Sequence, residues 1–375
     1  MEEQAGRMDL AKRSALLWAS EDDLESDDSR KAVREYHVSE MRKLAFTFAC
    51  IIAAVVVAGL SIVYGTMDLG FLDCYRIIWE HLTGNIQDKL LDYIVVQERL
   101  PRVAASLVTG AGLAVAGCVM QSVLKNPLAD PYTTGISSGA GFGATLAITL
   151  GISLVGGNYA IVVNAFVFAL VPMLVMLGVG KLKGASPTMM IMAGIAIMFI
   201  FNSFTTVLKL HADPDALAIL YQWTVGTVAD CKWTDIPLMA IIVIVGTVVT
   251  QLLSRKLNIL ATGDDSAKAM GLDVENMRIL LLLLISLMVA TVVSFTGLIG
   301  FVGLVAPHVC RIFVGADNRY LVISSAMFGA VLLEVADLVG RTVIAPATLQ
   351  VGVVTAFIGG PMFLYLIMRQ RKSSW

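Results

Sequence analysis

The stretch Arg99–Gly143, RLPRVAASLVTGAGLAVAGCVMQSVLKNPLADPYTTGISSGAGFG, decides the fold, because sequence apolar enough for a membrane interior is interrupted there by a polar, proline-bearing cluster. In hydrocarbon an unpaired backbone amide or carbonyl costs several kcal/mol, so NPLADP is tolerated at a helix junction only where protein or water surrounds it. Pro127 and Pro131 remove backbone donors and disfavour helix in the residues before them, which ends a helix near Lys125. The stretch implies a lined pathway through a membrane. A plain connecting turn remains the simpler reading of the same six residues.

The rest of the 375-residue chain agrees with a membrane setting. It is 57% hydrophobic and 15% charged, with a mean hydropathy of +0.79, against about 25% charged in soluble domains. A helix crossing a core about 30 Å thick needs roughly 20 largely apolar residues. About ten such runs are present, at Leu44–Tyr64, Arg102–Leu124, Thr134–Leu154, Tyr159–Val179, Pro187–Leu208, Asp235–Ser254, Ile279–Thr296, Gly300–Phe313, Leu321–Val339 and Val351–Met368. The eighth is short and reads as a half-helix continuing from the seventh. The expected fold is therefore all-α and polytopic. Lys and Arg resist translocation, and they collect in alternate connections: Arg42 and Lys43, Lys125, Lys181 and Lys183, Arg255 to Arg278, Arg311 and Arg319, then Arg369 to Lys372. This bias places the N-terminus and the C-terminus in the cytoplasm.

Residues 1–43 differ in kind, with eleven acids and few apolar residues, and cannot bury enough apolar area to order themselves. They are expected to form an acidic, disordered cytoplasmic tail ahead of a permease domain at 44–372. No early apolar segment with a small-residue cleavage site is visible, so the first span serves as the anchor. The five cysteines show no metal-ligand spacing. Cys74 and Cys231 both fall on the outer side, which leaves a bridge between them open. Four scattered histidines assemble no metal site. A phosphate-binding GxxxxGK[ST] loop is absent, as is any Ser/His/Asp or Cys/His arrangement. The chain is expected to be neither an enzyme nor a nucleic-acid binder, and to need no cofactor of its own.

Several separated motifs, in order, resemble the FecCD-type permeases of ABC importers for iron-siderophores, haem and cobalamin. They are RLPR, GAGLAVAG, NPLADP and GISSGAGFGA in the first half, then GDDSAKAMGLDV (Gly263–Val274), FTGLIGFVGLVAPHVCR (Phe295–Arg311), ADLVGR (Ala336–Arg341) and LQVGVVTAFIGGPMF (Leu349–Phe363). The resemblance implies a permease in the cell membrane that works as a homodimer. It also implies two cytoplasmic ATPase subunits that supply ATP hydrolysis and an extracytoplasmic substrate-binding protein that supplies the cargo.

Residue roles follow by the same resemblance. Asn126 and Leu128 occupy gate positions, and Ser186 with Pro187 begins the fifth span where the family has a second gate layer. Between Lys256 and Arg278, DDSAKAMG reads as a short helix with Asp264 or Asp265 as N-cap and Gly271 as its stop. In the family this loop docks into the ATPase, a role that falls on Ala267, Lys268, Ala269, Met270, Gly271 and Leu272. A solvated loop is the bland alternative. Arg99, Arg102 and Arg341 lie outside, against the positive-inside tendency. The resemblance gives them to docking of the binding protein, whereas Asp337 four residues before Arg341, and Glu98 beside Arg99, offer pairing at home.

Glu334 and Asp337 lie inside the ninth span, where a carboxylate is costly and marks a pathway, a proton site or a partner. They support a runner-up of a different class, an ion- or proton-coupled secondary transporter. The small residues of GAGLAVAG favour close helix packing, and the methionines of the fifth span read first as adaptable core filler.

Overall fold

The structure is a computed structural model that describes residues 27–369 apart from 66, 68, 184 and 185. Among these residues all regular structure is helical. In chain order the helices are α1 (Asp27–Val63), α2 (Phe71–Thr83), α3 (Lys89–Val123, π-wound over Tyr93–Arg99), α4 (Ile136–Leu150), α5 (Ala160–Lys183), α6 (Pro187–Leu210), α7 (Pro214–Val225), α8 (Ile236–Leu252), α9 (Ser254–Ala261), α10 (Asp264–Ala269), α11 (Val274–Thr296), α12 (Val302–Val314), α13 (Asn318–Thr342) and α14 (Val351–Arg369).

Each stretch read as a span falls on a helix. Six, namely α1, α3, α5, α6, α11 and α13, are long and apolar enough to cross a membrane, and α8 with α9 passes as a seventh bent by 61°. α4, α12 and the Val351–Tyr365 part of α14 are apolar but shorter. The half-helix expected after α11 is α12, set off from it by two left-handed residues, Gly297 (φ 68°) and Phe301 (φ 69°). Connections expected on one side of the membrane meet at one end of the bundle. Glu40 joins Tyr320 and Lys125 joins Asp264 at the N-terminal end, while Arg341 reaches Tyr64 at the far end.

α3 is the axis of the packing and lies against α13, α11, α12 and α8. Its small residues explain how. A Cβ on Gly110 would fall on the carbonyl of Gly329 in α13, and one on Gly117 would fall on the carbonyl of Gly303 in α12. Backbones this close gain dispersion contact where lipid gives helices no hydrophobic reason to associate. The packing role read for GAGLAVAG is thus met.

Two expectations change. The acidic segment was bounded at residue 43, but α1 already begins at Asp27, and its extra turns are held by Tyr36 donating to Glu40 and by Tyr320 donating to the same carboxylate, both at 2.7 Å. Residues 1–26 lie outside the described residues. The bridge left open between Cys74 and Cys231 is not formed, since all five cysteines are free and buried.

Gly117→Val places two methyl groups against an immovable carbonyl. A loss of about 1–3 kcal/mol is expected, read as lower thermal stability and yield of the purified chain, while Gly141→Ala, where a Cβ meets nothing, leaves both unchanged.

Candidate functional site

At the far end a cavity of about 790 Å³ opens between the start of α3, the end of α13 and the loop before α8, lined by Arg99, Arg102, Arg341, Glu98, Asp230 and Lys232. The three arginines proposed for docking do meet here. They are also committed at home: Arg99 is 5% and Arg341 3% exposed. Arg99 donates to the carbonyls of Ile62 (2.8 Å), Val63 (2.6 Å) and Met67 (2.6 Å), closing the last turn of α1. Arg102 holds both oxygens of Asp337, with Nε 3.0 Å from Oδ2 and Nη2 2.9 Å from Oδ1. Arg341 pairs with Asp337 one turn back at 3.0 Å and donates to the carbonyls of Ser61 and Tyr64. The i, i+4 pairing anticipated from sequence is therefore present, with Arg102 as an unanticipated third member.

Asp337 is 1% exposed and Glu334 is fully buried. Asp337 thus has both its oxygens taken up by the guanidiniums of Arg102 and Arg341. Glu334, one turn deeper, accepts from the Ser106 hydroxyl of α3, and its other oxygen has no partner among the described residues. Glu334 and Asp337 thus sit at the seam of α1, α3 and α13.

At the N-terminal end the loop read from sequence as a gate follows α3. The left-handed Lys125 (φ 51°) turns the chain out of the helix. Asn126 then accepts from Leu128 N–H at 2.9 Å, so the prolines are set by an Asx turn. Leu128 is 37% exposed. Asp130 caps the following 3-10 turn through Tyr132 N–H. Ser186 caps α6 by accepting from Met189 N–H at 3.3 Å, and Pro187 opens that helix with its preset φ.

The loop read as the coupling element is a two-helix hairpin of α9 and α10. Gly263 stands at the N-cap of α10, in place of the expected aspartate, and both Asp264 and Asp265 lie in its first turn. The reason is a stronger use for Asp264. It receives Lys125 of the gate loop at 2.5 Å and Arg278 of α11 at 2.8 Å. Burial opposes its charge, but the hydrogen bonds from Arg278 and Lys125 outweigh that and hold its carboxyl below the ordinary range. At the other end Gly271 (φ 81°) stops the helix as expected, with Leu272 N–H on the Ala267 carbonyl (3.0 Å) and Gly271 N–H on that of Lys268 (2.9 Å). Ala267 points inward and Leu272 is half-buried, whereas Lys268, Ala269, Met270 and Gly271 face out.

Sequence reading missed Tyr132. Its hydroxyl donates to the Ile299 carbonyl (2.9 Å) and accepts from the Ile299 amide (3.0 Å), satisfying the bare backbone between α11 and α12. The gate loop is thereby tied both to the coupling hairpin and to the broken helix. Its place right after DP, in GISSGAGFGA's lead-in, carried no signal, since a tyrosine there reads equally well as packing. Among the described residues no group of three or more His, Cys, Asp or Glu could hold a metal.

Helices of this length, with breaks answered from within the protein, fit a multi-pass membrane permease. The profile of the FecCD transport family matches residues 38–369, and the chain belongs to that family. It is 34% identical to the hemin transport system permease protein HmuU of Yersinia pestis, over 82% of this chain and 92% of that one. It is 37% identical to the cobalamin import system permease protein BtuC of Halobacterium salinarum, over 73% of each. A solved inward-facing structure described as of a metal-chelate type ABC transporter superposes with a TM-score of 0.76 at 28% identity, covering 86% of this chain and 99% of the other.

Two outcomes follow from the ion pairs. Asp337→Ala leaves two buried guanidiniums without their shared carboxylate and is expected to cost about 3–5 kcal/mol, measured as a fall in thermal stability that Asp337→Glu partly restores. Asp264→Asn is expected to speed amide exchange in residues 263–272 about 3- to 10-fold, as loss of an exposed ion pair worth about 1 kcal/mol would. In the unaltered chain a similar loss of protection, measured relative to the slower intrinsic exchange in acid, is expected on acidification, because a depressed carboxyl contributes stability above its ordinary value, near pH 4, that is lost as pH falls through its lower folded one.

Proposed function

We propose that this chain is the membrane subunit of a binding-protein-dependent ABC importer for a metal chelate, either iron-siderophore or haem, or for cobalamin. Two copies form one pathway on a shared two-fold axis, two cytoplasmic ATPase chains drive it, and an extracytoplasmic binding protein delivers the cargo in the cell membrane. A closed two-fold dimer is the commonest symmetry for such a pair, and the named relatives transport hemin and cobalamin.

The observation that carries the reading is the Lys125–Asp264–Arg278 clamp. The outward turn Lys268–Gly271 is the part a moving ATPase pushes. α10 passes that displacement through Asp264 to Lys125, the residue before gate position Asn126, while Arg278 carries it into α11. Ser186 and Pro187 fix the start of α6 as the second gate layer. The gate opens or closes only as far as ATP binding favours one arrangement over the other. At the opposite end the docked protein would offer carboxylates to Arg102, competing with Asp337 inside the cavity, while Arg99 and Arg341 keep the rim of the mouth positive and in shape. An ion-coupled carrier is the weaker reading, because both oxygens of Asp337 are already bound by Arg102 and Arg341 and leave no open ligand for a passing ion.

Uptake of labelled ferric siderophore, haem and cobalamin by cells lacking this chain tests the cargo. Loss of one or more is expected, and unchanged uptake of all three overturns the reading. Reversal of Arg99, Arg102 and Arg341 together to Glu is expected to weaken capture of the binding protein at least tenfold in a pull-down while the ATPase still co-purifies; undiminished capture rejects the docking assignment.

A further inference from the structure

A second cavity, of about 560 Å³, lies at the N-terminal end between α1 and the last turn of α12. Its walls are of two kinds. Lys31, Arg34 and Arg42 project from one face of α1 at helical spacing, and Glu35 is the acid among them. Val38, Ile312 and Phe313 form the other wall, and they are 48%, 60% and 49% exposed. Phe313 is held in place by stacking on Phe46, with ring centroids 4.5 Å apart and planes 10° from parallel. Arg34 and Arg42 have no ion-pair partner among the described residues.

We propose that this cavity binds the headgroup of an anionic phospholipid of the surrounding bilayer. Arg34 and Arg42 against Glu35 leave a net positive charge facing a phosphodiester, and a basic pocket beside membrane helices is the arrangement that holds such headgroups. The apolar wall selects a lipid over a free anion. From it the lipid-facing stripe of α1 runs on through Met41, Phe48 and Ile52, which are 62%, 63% and 50% exposed, giving the acyl chains a track continuous with the pocket. Lys31 and Arg34 lie before residue 38, where the family match begins, whereas Val38, Arg42, Ile312 and Phe313 lie within it. Cations on long apolar stems suit the position, since the stems rest at the membrane boundary while the charges reach the headgroup plane.

Native mass spectrometry of the purified full chain tests this with phosphatidylglycerol and phosphatidylcholine at equal concentration. The unaltered chain is expected to retain phosphatidylglycerol at least tenfold better. Lys31→Gln, Arg34→Gln and Arg42→Gln combined should abolish that preference while leaving phosphatidylcholine retention unchanged, and the charge-preserving set Lys31→Arg, Arg34→Lys and Arg42→Lys should keep it. Equal preference in the neutralised variant overturns the proposal. So does full displacement by millimolar inorganic phosphate, which would make the ligand a free anion. Carbodiimide cross-linking of Lys31 to an acid within residues 1–26 at the expense of bound lipid would assign the pocket to the chain's own acidic segment, and likewise overturns it.

Discussion

The constraint on which this structure depends is that backbone polar groups freed where a membrane helix breaks must be answered from within the protein. At each main break a buried side chain of a neighbouring element does so. Arg99 takes the carbonyls at the end of α1, Tyr132 takes both backbone groups of Ile299 between α11 and α12, and Asn164 of α5 takes the carbonyl of Ile152 and the amide of Leu154 after α4. Trp233 donates its indole N–H to the Val96 carbonyl in the π-wound part of α3 (2.7 Å). Except for those of Asn164, which reach back 10 to 12 residues, the cross-bonds join elements far apart in sequence, so the breaks are also the joints.

Packing and electrostatics build on those joints. Glycines at α3 bring backbones together, and the resulting narrow seam leaves room for the Ser106–Glu334 contact and the Arg102–Asp337–Arg341 triad. At the other end the Asp264 clamp ties three segments that diverge in sequence, namely the gate loop, the coupling hairpin and the foot of α11. The two charged centres differ in character. The first is buried and fixed; the second is half open to water and free to respond to a partner.

How far the sequence could be read follows from which signals are local. The helices were legible because hydropathy over 20 residues needs no knowledge of neighbours. Gly271 as a helix stop and the helix end near Lys125 were legible because glycine and proline act through their own backbone. The cap of α10 was misjudged because Asp264 is recruited by Lys125, 139 positions away, and no local rule reports such a competitor. The home contacts of Arg99 were invisible for the same reason: its acceptors are carbonyls of α1, chemically identical to every other carbonyl in the chain. The π-winding over Tyr93–Arg99 left no compositional mark. The early start of α1 was hidden by its charge, which tertiary contacts with Tyr320 offset.

The left-handed backbone at Lys125 has a consequence of its own. A lysine there stands in a region that side chains avoid, at a cost of about 1–3 kcal/mol unless its surroundings hold it, and here the holder is Asp264. Release of that carboxylate would let the residue relax toward ordinary angles, re-aiming every atom downstream by rotation about its own backbone. The chain thus stores a small strain in the residue directly before Asn126, wound by folding and kept in place by a single carboxylate.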